Sequence, residues 1–257
     1  MKLTILQGDI AWGDPATNTA QWEETLHKLP PADLYVLPEM FSTGFATVPD
    51  NIAEEGPMPP SLLWMKTVAT EKDAALAGSI ALHTEDDRYV NRLYFVQPDG
   101  TVAYYDKHHL FTYGGEHLRY APGCERTIVQ WQGVRILLQV CYDLRFPLWG
   151  RNRGDYDLAL YVASWPASRT HAWTTLLMAR AIENQCYVAG VNRIGDDPNC
   201  HYCGASAIID PYGHTIQACP DNTKAHASAH IDMEALNAFR KKFPVLDDAD
   251  PYTLTIQ

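Results

Sequence analysis

Long apolar runs are missing from this chain of 257 residues. No stretch approaches the roughly 18 apolar residues that a membrane-spanning helix requires. The apolar segment at the start is too short for a secretory signal, and Asn-x-Ser/Thr glycosylation sequons are also missing. These absences predict a soluble, cytoplasmic protein that has no membrane as a partner.

Positive charge is scarce, because 20 lysines and arginines stand against 31 acidic residues, a formal net charge of -11. A surplus of negative charge disfavours nucleic acid and anionic membranes as main partners. The six cysteines are too few for a disulfide scaffold in a chain of this length, so most are expected to be reduced and buried. Phosphate-binding loops of the G-x-x-x-x-G-K-[ST] type and strand-linked G-x-G-x-x-G motifs are absent from the sequence, so nucleotide binding has no support.

Strand-like and helix-like segments alternate along the chain. Apolar runs predict strands at 3–8, 34–38, 74–82, 91–97, 101–106, 134–140, 156–163, 187–193, 205–210, 214–219 and 227–231. Start signals and helical spacing predict helices after Asp14-Pro15 and at 60–72, around 147–153, at 170–184 and at 233–242. Such alternation gives sheets covered by helices, and two similar halves could pack sheet against sheet in four α-β-β-α layers.

A linker rich in proline and glycine is missing between these halves. Residues 1–257 are therefore predicted to form a single domain. Its last segment, about 243–257, has no helical or strand pattern until 252–256. We interpret this segment as a C-terminal arm that packs on a partner subunit.

Three strand-like runs end in chemically active side chains. Glu39 follows the run 34–38, Lys107 follows 101–106 and Cys141 follows 134–140. Because α/β sheets carry their chemistry at strand ends before sharp turns, the three side chains are predicted to form one site. Glu39 can accept the thiol proton and later return it, while Lys107 can stabilise negative charge. Such a group performs acyl transfer through a thioester without a histidine.

The segments around these residues resemble the three motif blocks of the nitrilase superfamily of carbon-nitrogen hydrolases, and the resemblance extends to about residue 231. The blocks are Leu37-Pro38-Glu39, Lys107-His108-His109-Leu110-Phe111 and Val140-Cys141-Tyr142-Asp143-Leu144-Arg145-Phe146-Pro147. The resemblance implies a four-layer αββα sandwich, a Glu39–Lys107–Cys141 triad, and hydrolysis of carbon–nitrogen bonds in a small amide with no cofactor and no metal. It also implies a homodimer, with the C-terminal arms at the interface.

Further segments narrow the resemblance to the omega-amidase branch of the family. These segments are Ser164-Trp165-Pro166, His171-Ala172-Trp173 and Ala179-Arg180-Ala181-Ile182-Glu183-Asn184-Gln185. Members of that branch hydrolyse the terminal amide of 2-oxoglutaramate or 2-oxosuccinamate to the dicarboxylate and ammonia. Glu116 resembles a second glutamate of the family's pocket, which positions substrate or the hydrolytic water. Another amidase reaction, such as hydrolysis of an N-carbamoyl amino acid, uses the same triad and stays open.

Several other residues are candidates for substrate binding. The amide N–H of Tyr142, directly after the nucleophile, is a candidate second donor to the oxyanion. Arg145 and Arg169 could each bind a substrate carboxylate, since the guanidinium fork matches that group. For Arg145, a structural ion pair with a nearby acid such as Asp143 is slightly favoured. Aromatic residues are predicted in the pocket walls, with simple packing as the alternative: Phe41, Tyr113 and Trp165.

Cys200 and Cys203 form a C-x-x-C pair, which raises the alternative of a metal or thiol redox protein. A zinc site would require two more ligands at matching spacing, and a second pair is absent from the sequence, so incidental cysteines are favoured. A non-catalytic interaction protein with the same fold is a further alternative. The complete set of Glu39, Lys107 and Cys141 argues against it.

Overall fold

Fifteen strands and four α-helices organise residues 1–255, the part of the chain that the computed structural model describes. The strands are β1 (Lys2–Gln7), β2 (Leu34–Val36), β3 (Glu54–Glu55), β4 (Ala75–His83), β5 (Tyr89–Val96), β6 (Val102–Asp106), β7 (Ile128–Trp131), β8 (Val134–Val140), β9 (Leu158–Ala163), β10 (Tyr187–Asn192), β11 (Ile194–Asp196), β12 (His201–Cys203), β13 (Ala207–Ile209), β14 (Thr215–Ala218) and β15 (Ala225–His230). The helices are α1 (Pro15–Lys28), α2 (Pro60–Lys72), α3 (Thr170–Asn184) and α4 (Met233–Lys242).

The strands form two large sheets and one small ribbon. The first sheet has the order β15-β1-β2-β4-β5-β6, with β3 also paired to β4, and the second has the order β14-β13-β10-β9-β8-β7. The central strands β1, β2 and β4 run parallel, as do β8, β9 and β10. Parallel neighbours need a crossover connection, and α1, α2 and α3 lie within three of these connections. Strands β11 and β12 form the separate ribbon.

The two sheets pack face to face, and helices cover their outer faces. One buried cluster joins both inner faces, with Ile5, Val36 and Phe95 from the first sheet and Leu138 and Leu160 from the second. A second cluster packs α1 and α2 on the first sheet, and a third packs α3 on the second. The predicted four layers, α-β-β-α, are confirmed.

Local signals predicted the helix starts well, with one exception. Asp14 caps α1, since its carboxylate accepts the N–H of Thr17 at 3.0 Å. The helix predicted around 147–153 is wrong, because the chain instead forms a short 3₁₀ helix at Cys141–Arg145 and then turns. The turn begins early because the Asp143 carboxylate accepts the N–H of Val140 at 3.0 Å. Pro147 lacks an N–H, and the glycines that follow disfavour a helix.

The expectation of two equivalent halves is only partly met. β15, near the end of the chain, pairs antiparallel with β1 from Lys2↔His230 to Gln7↔Ala225, so the second half of the chain completes the first sheet. Residues 252–255, where the sequence of the tail regains some regular pattern, form neither a helix nor a strand, and Ile256 lies outside the described residues. Of the helices between residues 1 and 255, none has the length and apolarity that crossing a bilayer requires.

That residues 1–257 form one domain stays a prediction.

Candidate active site

The ends of β2, β6 and β8 bring Glu39, Lys107 and Cys141 together between the sheets. Lys107 Nζ lies 3.0 Å from Glu39 Oε1 and 2.9 Å from Glu116 Oε2, and these three side chains are fully buried. Cys141 borders the same group and lines an adjacent cavity. A thiol, an ammonium and two carboxylates therefore lie side by side.

Cys141 occupies a strained turn directly after β8. Its φ is 46°, in the left-handed region that costs a residue with a Cβ atom on the order of 1 kcal/mol. The turn is held from behind by the Asp143 carboxylate, which accepts the N–H of Val140 at 3.0 Å, the N–H of His109 at 2.9 Å and the hydroxyl of Tyr105 at 2.8 Å. These bonds fix a sharp strand-to-helix turn with the sulfur at its apex, as in a nucleophile elbow.

Both oxygens of the Glu39 carboxylate are engaged by donors. Oε1 accepts from Lys107 Nζ at 3.0 Å and from Asn91 Nδ2 at 2.7 Å. Oε2 accepts the backbone N–H of Ser164 at 2.7 Å, which lies directly after β9. A carboxylate held in this way by both sheets has a fixed position relative to Cys141, which a proton acceptor requires.

Two buried carboxylates keep Lys107 charged. Burial alone would lower the pKa of Lys107, but the charges of Glu116 and Glu39 outweigh it and raise the pKa above its usual value. Burial raises the pKa of Glu116, Lys107 opposes that shift, and Glu39 adds to it. The ring of Phe45 lies 5.0 Å from Lys107 Nζ and covers the ammonium on another side. Lys107 is therefore a permanent positive charge within the site.

The same surroundings keep Cys141 protonated at rest. Burial raises the pKa of the thiol well above its usual value, the negative charge of Glu39 adds to the shift, and Lys107 opposes it. Because only the thiolate is a good nucleophile, the proton must leave sulfur as a bond to carbon forms. Glu39 is the neighbouring carboxylate that can take it.

A cavity of about 430 Å³ opens above Cys141 and Lys107. Five residues predicted to bind substrate line it: Tyr142, Trp165, Tyr113, Arg145 and Arg169. The structure does not bring Phe41 to the cavity. Its fully buried ring packs in the core under α2, with its centroid 5.6 Å from that of Trp64. The chain reverses at Met40, whose φ is 44°, so Phe45 lines the cavity instead.

Two guanidinium groups lie over aromatic rings in this cavity. Arg145 stacks over Trp165 at 4.9 Å, and Arg169 lies 5.3 Å from the ring centroid of Phe111 and 5.9 Å from that of Tyr113. Within residues 1–255, neither arginine forms an ion pair, and the Asp143 carboxylate lies 2.8 Å from His109 Nδ1 instead. The predicted structural ion pair of Arg145 is therefore wrong, and both charges are available to a ligand.

Comparison with known proteins fits this geometry. The sequence model of the family described as "Carbon-nitrogen hydrolase" matches residues 2–241. The chain belongs to the carbon-nitrogen hydrolase family. Among its relatives, "Omega-amidase YafV" of Yersinia enterocolitica is 49% identical over 99% of this chain and 98% of that protein. The "2-oxoglutaramate amidase" of Bacillus subtilis (strain 168) is 36% identical over 96% of this chain and 98% of its own length.

A solved member of the carbon-nitrogen hydrolase superfamily has nearly the same fold. It comes from Xanthomonas campestris, is 44% identical, covers 99% of both chains and superimposes with a TM-score of 0.95. Its crystal structure carries an arsenic adduct in the active site. The present chain is thus a carbon-nitrogen hydrolase over nearly its whole length, with an amidase-type fold.

Sequence reasoning missed one wall of this hydrolase cavity. The β11–β12 ribbon and its connecting loop contribute Asp197, Asn199, Cys200 and Tyr202. Cys200 and Cys203 are both free thiols, and Cys203 Sγ contacts Thr170 Oγ1 at 3.0 Å. Across residues 1–255, clusters of three or more His, Cys, Asp or Glu that could hold a metal are absent. The C-x-x-C signal therefore marked a cavity wall, which spacing alone does not indicate.

Proposed function

We propose that this carbon-nitrogen hydrolase is an omega-amidase. It hydrolyses the terminal amide of 2-oxoglutaramate or 2-oxosuccinamate to the 2-oxo dicarboxylate and ammonia, with Glu39, Lys107 and Cys141 as catalytic residues. The observation that carries the proposal is the juxtaposition of this buried group with a cavity that holds two guanidinium groups, neither of which forms an ion pair with the described residues. Relatives that bear the names omega-amidase and 2-oxoglutaramate amidase over nearly the full length support it.

The acylation half of the reaction uses the three residues in turn. Glu39 accepts the Cys141 proton as sulfur bonds to the amide carbonyl carbon, and the carbonyl π electrons move to oxygen. The ammonium of Lys107 and the backbone N–H of Tyr142 stabilise that oxyanion. When the tetrahedral intermediate collapses, the carbon–nitrogen bond breaks, and Glu39 returns its proton to the leaving nitrogen. Ammonia departs and a Cys141 thioester remains.

The hydrolytic half returns the enzyme to its starting state. A water molecule gives its proton to Glu39 and attacks the thioester carbonyl, with Glu116 helping to orient it. The same donors stabilise the second oxyanion. The carbon–sulfur bond then breaks, Cys141 regains its proton from Glu39, and the dicarboxylate leaves. Glu116 has this orienting role because its carboxylate already lies against Lys107 at 2.9 Å.

Selectivity for an omega-amide comes from the charge at the other end of the substrate. A substrate carboxylate that lies three or four carbons from the amide carbon can bind a guanidinium group of the cavity while the amide carbon contacts Cys141. Arg145 is exposed and Arg169 is half-buried, so water screens the first charge more strongly. We therefore propose Arg169 as the main anchor of the carboxylate and Arg145 as a secondary one.

Arg169→Met is expected to raise KM for 2-oxoglutaramate by about 10–100-fold while kcat changes little, because a charge-assisted bond to the carboxylate is lost. Arg145→Met is the matched variant and is expected to have the smaller effect. Steady-state ammonia release gives both constants. Butyramide, which has no carboxylate, serves as the control substrate, and its kcat/KM should not change. Equal losses on both substrates would contradict a role in carboxylate binding.

The proposed reaction is tested by ammonia release from a panel of substrates. The panel contains 2-oxoglutaramate, 2-oxosuccinamate, glutamine, an N-carbamoyl amino acid and a nitrile, which represent the alternative reactions of the family. We expect the two oxo-amides to have the highest kcat/KM. Faster turnover of the N-carbamoyl compound or the nitrile would overturn the omega-amidase proposal, although the triad chemistry would stand.

We also propose that the protein works as a cytoplasmic homodimer. A groove of about 360 Å³ behind the nucleophile turn is lined by His108, His109, Phe146, Pro147, Leu148, Trp149, Leu254 and Thr255. The Tyr252 hydroxyl donates to the Leu148 carbonyl at 2.6 Å and holds the arm beside this groove. Leu148 is 56% exposed and would be covered in a dimer. Sedimentation should give the mass of two chains, and a monomer at assay concentrations would contradict it.

A further inference from the structure

Asn91 is a buried polar residue that touches both carboxylates of the site. It lies on β5 and is fully buried. Its Nδ2 donates to Glu39 Oε1 at 2.7 Å and approaches Glu116 Oε1 at 3.4 Å. Its backbone carbonyl accepts the N–H of Lys107 at 3.0 Å. A single residue on the middle of a strand thus contacts three members of the buried charge group.

The orientation of the Asn91 amide is determined by these contacts. With Nδ2 toward Glu39 and Glu116, each N–H has a carboxylate oxygen to approach, whereas the reversed amide would place its oxygen against two acceptors. In the described part of the chain, this orientation leaves the buried Oδ1 without a hydrogen-bond partner. A buried acceptor without a hydrogen-bond partner is unfavourable. The fold therefore keeps the two donor contacts at the expense of an unsatisfied acceptor.

The charges around Asn91 favour a neutral donor at this position. Glu39, Glu116 and Lys107 contact it directly, and the Cys141 thiol borders the same group. Two carboxylates against one ammonium leave an excess of one negative charge if both carboxylates are ionised. An amide stabilises these carboxylates through hydrogen bonds and adds no second cation that would bind Glu39 too tightly for proton exchange.

Asn91 also determines which oxygen of Glu39 is free to take a proton. A carboxylate oxygen accepts about two hydrogen bonds. Oε1 already accepts from Lys107 and from Asn91, while within residues 1–255 Oε2 accepts only the Ser164 N–H. The open acceptor position therefore lies on Oε2. Without Asn91, Oε1 would also have an open acceptor position. The Glu39 carboxylate could then rotate about the last torsion of its side chain.

We propose that Asn91 is a positioning residue that holds the carboxylates of Glu39 and Glu116 through its amide and directs the Cys141 proton to Glu39 Oε2. The inference rests on the proposed function, because that function makes Glu39 the proton acceptor. Asn91 itself touches neither the substrate nor the reacting sulfur in this scheme. Its effect passes through Glu39, so it should change proton transfer and leave substrate binding in place.

The test replaces the amide by an apolar group of similar shape, Asn91→Leu. We expect kcat for 2-oxoglutaramate to fall by about 10–100-fold, as for loss of a hydrogen bond to a charged group, with KM within about threefold of wild type. In the pH profile of kcat/KM, the acid limb should move to higher pH by about one unit, since an ionised carboxylate loses its donor. An acid limb at the same pH as in wild type, or an increase in KM with no fall in kcat, would overturn the inference.

Two further variants separate positioning from folding. Val90→Ala changes the preceding buried residue of β5, which packs in the helix-covered core, and should leave the acid limb unchanged. Asn91→Asp is nearly isosteric and adds a negative charge, so its acid limb should move further than that of Asn91→Leu. If Asn91→Leu does not fold, the comparison rests on Asn91→Asp. An unshifted limb in the folded variant overturns the inference.

A measurement without substrate distinguishes this inference from the proposed function. Alkylation of Cys141 by iodoacetamide is followed against pH, with mass spectrometry assigning the adduct to the Cys141 peptide. The acid limb of alkylation should move upward in Asn91→Leu, as it does in turnover. If wild type hydrolyses none of the omega-amides and this shift is present, the substrate assignment fails and the positioning role stands. If wild type is active and neither limb shifts, the positioning role fails.

Discussion

Cys141→Ala should lower kcat for 2-oxoglutaramate by at least about 10⁴-fold, the scale of loss seen when an enzyme's nucleophile is removed. The alanine keeps the backbone turn at φ 46°, so the cavity and the other catalytic residues stay in place. Without sulfur, water would have to attack an amide directly, and no thioester can form. Ammonia release measured over hours, with enzyme in large amount, gives the residual rate.

The control for this loss is Cys203→Ala. Cys203 is a buried free thiol and does not line the cavity, but it belongs to the C-x-x-C pair that suggested a redox or metal function. The variant should keep the wild-type kcat. Activity that survives in Cys141→Ala and disappears in Cys203→Ala would overturn the assignment of the nucleophile.

Lys107→Met should lower kcat by about 10²–10³-fold, because one donor to the oxyanion is typically worth about 3–4 kcal/mol of barrier. It should also lower the free energy of unfolding by about 3–5 kcal/mol, since removal of one partner leaves buried charges unpaired. Glu39 and Glu116 both lose their cation, at 3.0 Å and 2.9 Å. Because Lys107 lowers the pKa of Glu116, its removal should raise that pKa further.

A double variant separates these two effects. Glu116→Gln in the Lys107→Met background removes one of the two unpaired carboxylates, so much of the lost stability should return. The activity should not return, since the oxyanion still lacks its ammonium. Urea denaturation and ammonia release measure the two quantities on the same samples. Recovery of kcat together with stability would mean that Lys107 acts only as a structural cation.

Most of the buried group of reactive side chains could be predicted, because its members lie in contiguous blocks of sequence. Glu39, Lys107 and Cys141 each follow a short apolar strand, and each strand could be recognised within about ten residues of sequence. That the three meet is a property of the sheets, and the resemblance to nitrilases supplied it. Side chains beside these blocks were less predictable. Phe41 follows Glu39 by two positions, yet the positive φ of Met40 turns it into the core.

Contacts that depend on distant parts of the chain could not be predicted. Asn91 lies in an ordinary strand pattern, and only the packing of β5 against β4 and β6 brings its amide to Glu39. Similarly, β15 joins β1 across more than two hundred residues, which no local signal indicates. At Arg145, by contrast, a local signal was present and misleading. Its neighbour Asp143 suggested an ion pair, but that carboxylate is already engaged behind the nucleophile turn.

The acyl-enzyme provides the most direct test of the proposed thioester mechanism. Wild-type protein is mixed with 2-oxoglutaramate, quenched in acid at successive times during turnover and digested, and the peptide that contains Cys141 is analysed by mass spectrometry. The account predicts a transient 2-oxoglutaryl adduct on Cys141, sensitive to hydroxylamine and absent from Cys203 and the other thiols. Release of ammonia at the full rate with Cys141 unmodified at every quench time, or with the adduct on another residue, would contradict it.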